Sequence, residues 1–139
     1  MILLETNVVS EPLRRAPDDR VIAWIDAQAL ETLYLSAVTV AELRAGIALL
    51  PSGQRRAGLH ENLERQVLPL FTGRVLPFDL ACTQAYALLM AKARQSGSAI
   101  AAADGYIAAI AATHGLAVAT RDIRPFEAAG NTVINPWRS

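Results

Sequence analysis

Apolar positions along this chain follow two different periods, and the two alternate. Ile2-Leu3-Leu4 is a short unbroken apolar run, as in a strand buried on both faces. Segments at Leu33–Leu35, Arg74–Leu76, Leu116–Ala119 and Thr132–Ile134 predict four more strands. Between them the apolar spacing changes to three and four. Val21, Trp24, Ile25 and Ala29 share one helical face, as do Val40, Leu43, Ile47 and Leu50, and again Leu59, Leu63, Val67 and Leu70. Leu80 to about Gln95 consists almost entirely of helix formers, and Ile100, Ala103, Ile107 and Ile110 mark a further helix that stops at His114-Gly115. This order predicts an α/β fold with a central, mainly parallel sheet, helices on both of its faces and right-handed crossovers. Pro51-Ser52-Gly53 and Ser96-Gly97-Ser98 have the composition of turns between helices, and there is no repeat or low-complexity tail. Residues 1–139 are expected to form a single domain.

Composition narrows the function classes. At 139 residues and 53% apolar, the chain can bury most of its apolar surface without help. Its apolar runs are too short for a bilayer and no basic segment precedes a long apolar one, so a cytoplasmic protein with no membrane partner is expected. The one cysteine, Cys82, has no disulfide partner, and His60 and His114 lack metal-ligand spacing, which argues against zinc. Thirteen basic and thirteen acidic side chains cancel, so any affinity for nucleic acid must come from local patches.

The acidic residues carry the chemical signal. In open α/β sheets ligands gather beyond the carboxyl ends of the strands, where Glu5 follows Ile2–Leu4 and Asp122 follows Leu116–Ala119. Glu5 reads equally as a turn residue, and Asp122 as a cap before Ile123-Arg124-Pro125. Asp104 stands out, because its helical neighbours Ile100, Ala101, Ile107 and Ala108 are all apolar. A carboxylate there needs a cation, a hydrogen-bond network or a wet cleft. Glu42 has capping-box spacing from Thr39 and has that bland reading available. Four carboxylates brought together would repel one another, and a divalent ion is the usual remedy. Magnesium takes oxygen ligands, keeps several waters and pairs with phosphates; manganese has similar preferences. The matching chemistry is phosphodiester hydrolysis.

These residues sit in motifs that resemble a known family. Met1-Ile2-Leu3-Leu4-Glu5-Thr6-Asn7-Val8-Val9-Ser10-Glu11 is similar to the opening of PIN-domain toxins, with Glu5 where the family has aspartate. Ser36-Ala37-Val38-Thr39-Val40-Ala41-Glu42-Leu43 resembles the second motif, Ile100 to Ala109 around Asp104-Gly105 the third, and Val118-Ala119-Thr120-Arg121-Asp122 the fourth. Val75-Leu76-Pro77-Phe78-Asp79 and the closing Ile134-Asn135-Pro136-Trp137 extend the resemblance over the whole chain, in particular to the FitB branch of the VapC-type toxins. The resemblance implies a PIN-like, five-stranded parallel sheet and a Mg2+- or Mn2+-dependent endoribonuclease acting on RNA. It further implies a homodimer, neutralisation by a cognate antitoxin, and contact with operator DNA only through that antitoxin. It carries metal-ligand roles onto Glu42, Asp104 and Asp122, and onto Glu5 with the reservation of its extra methylene. Thr6, Asn7 and Thr120 become groups that orient ligands or water.

Of the basic residues, Arg14, Arg15 and Arg20 are expected near the mouth of such a site, with Arg44, Lys92, Arg94, Arg121 and Arg124 adding to its rim or simply forming solvated helix faces. Arg55, Arg56 and Arg65 share a polar helix with Glu61 and Glu64 and need only intrahelical pairs. Asp18, Asp19 and Asp79 fit helix starts. Trp24, Tyr34, Phe71, Phe78, Tyr86 and Phe126 are expected in the core or an interface, and Cys82 in buried packing. Two alternatives compete. A phosphoacceptor receiver domain would need a lysine after a late strand, whereas the single lysine, Lys92, is inside a helix. The chain would otherwise be a catalytically weak protein-binding subunit that forms an operator-DNA-binding complex with its antitoxin, and Glu5 is the feature that separates this from a full nuclease.

Overall fold

A computed structural model describes residues 1–138. Five strands, β1 (Ile2–Leu4), β2 (Leu33–Ser36), β3 (Val75–Leu76), β4 (Ala117–Ala119) and β5 (Val133–Ile134), form one sheet in the order β3-β2-β1-β4-β5. All four pairings are parallel, with Leu3 beside both Tyr34 and Val118. Among the described residues seven α-helices accompany them: α1 (Thr6–Ser10), α2 (Asp19–Asp26), α3 (Ala37–Ala48), α4 (Gln54–Glu61), α5 (Leu80–Gln95), α6 (Ala102–His114) and α7 (Arg124–Ala128).

Because side chains alternate across a strand, each central strand feeds two cores. Leu3 and Val118 pack with Leu89, Ile107, Ile110 and Phe126 of α5, α6 and α7 on one face. Leu4, Leu33, Leu35 and Ala119 point the other way, toward Val8, Val21, Leu43, Leu63, Phe71 and Trp137. The expected two-faced sheet is therefore present, and Cys82 is buried in the first core. Phe78, Tyr86 and Tyr106 form an aromatic cluster at its edge, with ring centroids 4.8 to 5.7 Å apart.

Asp18 and Asp79 cap α2 and α5 as expected, accepting from the amides of Arg20 and Cys82. Gly115 ends α6 in the left-handed region, at φ 65°. Some boundaries differ from the apolar pattern. The helix expected through Leu59–Leu70 is divided into α4, a wider π turn at Asn62–Val67 and a 3-10 turn at Leu68–Phe71. Pro69 contributes to the break, since it has no amide to donate to the preceding turn. Leu63 and Phe71 remain buried through the change. Ala29 and Leu50 lie just beyond the ends of α2 and α3, and Ile100 lies before α6. The short helices α1 and α7, with only five residues each, are too brief for a period to be seen.

Candidate active site

Parallel pairing of β1 with β4 brings two strand ends side by side: the Glu5 amide donates to the Ala119 carbonyl at 2.9 Å. Glu5 leaves β1 at this point and caps α1, its Oε2 accepting from the Asn7 amide at 3.2 Å. The turn role expected as one reading of Glu5 is therefore present, and its side chain is buried. Glu42 lies in the second turn of α3, which springs directly from β2. Asp104 occupies the first turn of α6, half-buried, and α6 packs against α3. Asp122 follows β4, exposed.

Charge reaches between Glu5 and both Asp104 and Glu42, and between Asp104 and both Glu42 and Asp122. Burial raises the Glu5 carboxyl above its ordinary range, and the negative charges of Asp104 and Glu42 raise it further against the opposing Asn7 amide. Asp104 is likewise raised, first by burial and then by Glu42 and Asp122. No lysine or arginine offsets either shift. Among the described residues, no three acidic, histidine or cysteine side chains close into a ready-made metal cage. The four carboxylates are instead a looser, oxygen-only set linked by charge. That suits a hard ion which takes one or two carboxylates and keeps its waters better than one needing a full protein cage.

One hydroxyl bonds a carboxylate of the set, and two other side chains bond the backbone beside it. Thr6 Oγ1 donates to Glu42 Oε1 at 2.7 Å and lies 3.3 Å from Thr39 Oγ1. Asn7 Oδ1 accepts from the Arg121 amide at 3.2 Å, joining α1 to the segment after β4. Thr120 Oγ1 accepts from the Asp122 amide at 3.2 Å. The expected cap role of Asp122 is not found: α7 starts without a side-chain cap. The capping box expected of Thr39 and Glu42 is also displaced by one turn. Ser36 is the cap and accepts from the Thr39 amide at 2.9 Å, which leaves Glu42 to Thr6. Ser36 and Thr39, both fully buried, are supports that the sequence reasoning misses; the Ser-x-x-Thr spacing after a strand is the available signal. It misses Glu11 too. Only 3% exposed, Glu11 accepts from the Asp18 amide at 2.9 Å and from Arg14 Nη1 at 3.2 Å, holding the segment between α1 and α2.

Several guanidiniums expected at the rim are engaged in pairs. Arg20 grips Asp18, whose carboxyl falls to about 2 chiefly through that bond. Arg44 makes two bonds to Glu64, at 2.8 and 3.0 Å, so Glu64 is not in the intrahelical pairing expected of it; Arg65 does pair with Glu61. Arg121 lies over the Trp137 ring at 5.3 Å. A depression of about 900 Å³ between α3 and α4 contains none of the four carboxylates. A smaller cavity, about 290 Å³, opens beside Thr6 and Glu42.

The family model described as "PIN domain" matches residues 2–131. The chain is 64% identical, over its full length and that of the relative, to "Plasmid stability protein StbB" of Pseudomonas syringae pv. tomato. It is 61% identical to "VapC ribonuclease Y4jK" of Sinorhizobium fredii, covering 99% of this chain and 98% of the relative. To "Toxin FitB" of Neisseria gonorrhoeae it is 58% identical, covering 99% of each. Among solved structures, FitAcB from Neisseria gonorrhoeae matches with a TM-score of 0.97 at 57% identity, covering 100% of both chains. FitAB bound to an IR36 DNA fragment matches with a TM-score of 0.96 at 55% identity, over 99% of this chain and 96% of that one.

Proposed function

We propose, from the premise that this chain belongs to the PIN domain family, that it is the toxin of a toxin–antitoxin pair and a metal-dependent endoribonuclease. The observation that supports the reading is the chain of electrostatic contacts from Glu5 to Asp104 and Glu42, and from Asp104 to Glu42 and Asp122, with no lysine or arginine among the causes to offset the raised Glu5 and Asp104 carboxyls. The similarity to a relative named a VapC ribonuclease supports hydrolysis of RNA. The similarity to FitB in FitAB bound to DNA supports an antitoxin partner, with operator DNA reached through the antitoxin. Residues 1–139 act as one domain, as a homodimer and in the cytoplasm; no described helix is long and apolar enough to cross a membrane.

The oxygen-only donor set fits Mg2+ or Mn2+, held by Glu5, Asp104, Asp122 and Glu42. Such an ion supplies an activated water and offsets charge on the phosphodiester in the transition state. The chain's own groups set the geometry. Thr6 fixes one oxygen of Glu42, Asn7 ties the start of α1 to Arg121, and Thr120 holds the backbone of Asp122. Burial of Glu5 keeps its carboxylate poorly hydrated and so available to a cation.

A second reading has one observation behind it. Glu5 extends a methylene further than the aspartate of the resembled family, which would displace the ion or the attacking water and leave slow cleavage with antitoxin binding intact. Purified protein incubated with a panel of single-stranded RNAs, in Mg2+, Mn2+ or chelator and with or without antitoxin, tests both readings. Metal-dependent cleavage that Asp104→Asn abolishes supports the nuclease. Antitoxin binding with no cleavage by any metal supports the binding subunit.

A further inference from the structure

Gly46 stands in the interior of α3, and it is conspicuous there. Glycine is the poorest helix former after proline, yet nothing nearby requires its small size: a Cβ built at position 46 meets no atom within 4 Å. Its backbone is ordinary helix, without positive φ. What lies over it is the cavity of about 290 Å³ between α1, α3 and α4. One wall of that cavity is Thr6 and Glu42, so it is continuous with the carboxylate cluster. The rest is mainly aliphatic, including Leu43, Ile47 and Leu59, with Arg14 and Arg55 at the edge. Arg14 engages Glu11 through Nη1, which leaves its other donors available, and Arg55 has no ion pair among the described residues.

We propose that this cavity, bordered by Gly46, is a subsite for one unstacked nucleobase of single-stranded RNA, next to the phosphate that lies at the carboxylates. The inference rests on the nuclease reading above and adds a substrate subsite to it. Three features select this occupant. The volume sits at the lower limit of small-molecule sites, roughly 300 Å³, enough for one ring system. Its aliphatic walls and planar guanidinium edges suit a π face, since splayed bases of single strands stack on apolar and arginine surfaces. The two guanidiniums complement backbone phosphates beside a site whose own charge is negative.

Gly46→Leu tests this directly, because leucine favours helix and its side chain would occupy the cavity; Gly46→Ala is the control that stabilises α3 while leaving most of the space. The full-length protein, free of antitoxin, is assayed in two ways. In chelator, where no cleavage occurs, fluorescence anisotropy reads the affinity for a short single-stranded RNA. With Mn2+, initial rates give kcat and KM, and sequencing of cut ends from a randomised RNA pool gives base preference. Gly46→Leu should raise both Kd and KM about tenfold or more, with little change in kcat, and flatten the preference at one position next to the cut. An RNA abasic at that position should bind the unaltered protein as weakly as intact RNA binds Gly46→Leu. Arg55→Gln should reduce the slope of log affinity against log salt by about 0.7.

Unchanged affinity, KM and base preference in Gly46→Leu, with the fold intact by circular dichroism, would overturn the proposal. So would a variant that loses antitoxin affinity alone, which would make the cavity a peptide seat. If the unaltered protein cuts no RNA with any metal, the nuclease reading fails, and the anisotropy measurement still decides the subsite: weaker binding by Gly46→Leu supports it and equal binding refutes it.

Discussion

Replacing Glu5 by aspartate removes one methylene from a side chain that is 8% exposed and caps α1. Two effects on stability oppose one another. Loss of a buried methylene costs about 1 kcal/mol, while aspartate is among the best cap residues and can keep the bond from the Asn7 amide. The net change should stay below about 1 kcal/mol, a Tm shift of no more than about 4 °C in a chain of this length. Catalysis should respond far more. The carboxylate withdraws by roughly one carbon–carbon bond, about 1.5 Å. Misplacement of about 1 Å in a reacting geometry can cost about a hundredfold in rate. Glu5→Asp, which restores the acid of the resembled family, should therefore cleave about ten- to a hundredfold faster. Initial rates at matched protein concentration, with saturating Mn2+ or Mg2+ and a single-stranded RNA that the variant cuts, provide the measurement. Glu5→Gln, which keeps the reach and loses the charge, should be inactive. Equal rates for the parent protein and the Glu5→Asp variant would show that the cluster accommodates the longer acid, and the argument from reach would fall.

Asp104→Asn should keep the fold, abolish cleavage and weaken metal binding; a calorimetric Mn2+ titration unchanged from the parent would remove Asp104 from the site. Raised carboxyls also set a sign for pH dependence. Glu5 and Asp104 lie above their ordinary values of 4.5 and 3.8, so their contribution to stability is fullest below those values and is lost as pH rises through the raised ones. Glu5→Gln should hence be more stable than the parent at pH 7, with the difference shrinking toward pH 4 in denaturant titrations; a difference that grows toward acid refutes the assignment. Glu11→Ala should cost about 2 kcal/mol, because it strands the Asp18 amide and breaks the bond to Arg14, and a thermal scan within 1 °C of the parent would contradict this.

Much of this architecture is legible in the sequence because burial on both faces imposes a strong pattern. Ile2–Leu4 is an unbroken apolar run since β1 is the middle strand, with β2 and β4 on either side. Strands nearer the edge are less sharply defined: the pattern begins β3 at Arg74, whose carbonyl does accept from the Leu35 amide at 3.0 Å, while the assigned pairing with β2 begins one residue later at Val75. Asp104 is conspicuous because a carboxylate among apolar helical neighbours is expensive. Glu42 is not, since its spacing from Thr39 suggests a capping box, and only the position of Ser36 at the end of β2 shows that the cap lies one turn earlier. The hydroxyl of Thr6, which holds Glu42, and the side chain of Asn7, which holds the Arg121 amide, act between segments far apart in sequence. Local spacing carries no trace of such pairings.

The strand order also governs when the site can exist. β1 precedes both β2 and β4 in the chain, yet it lies between them in the sheet, so its pairing with β4 waits for all the intervening elements to be made. Glu5 meets Asp104 only after α6 is in place, and Asp104 meets Asp122 only after β4 has slotted in against β1. A half-made chain, or one cut short by a stalled ribosome, holds the early carboxylates without their late counterparts. For a protein that cuts RNA with these four acids, the messenger being read would thus meet no complete cluster until α6 and β4 had both been translated.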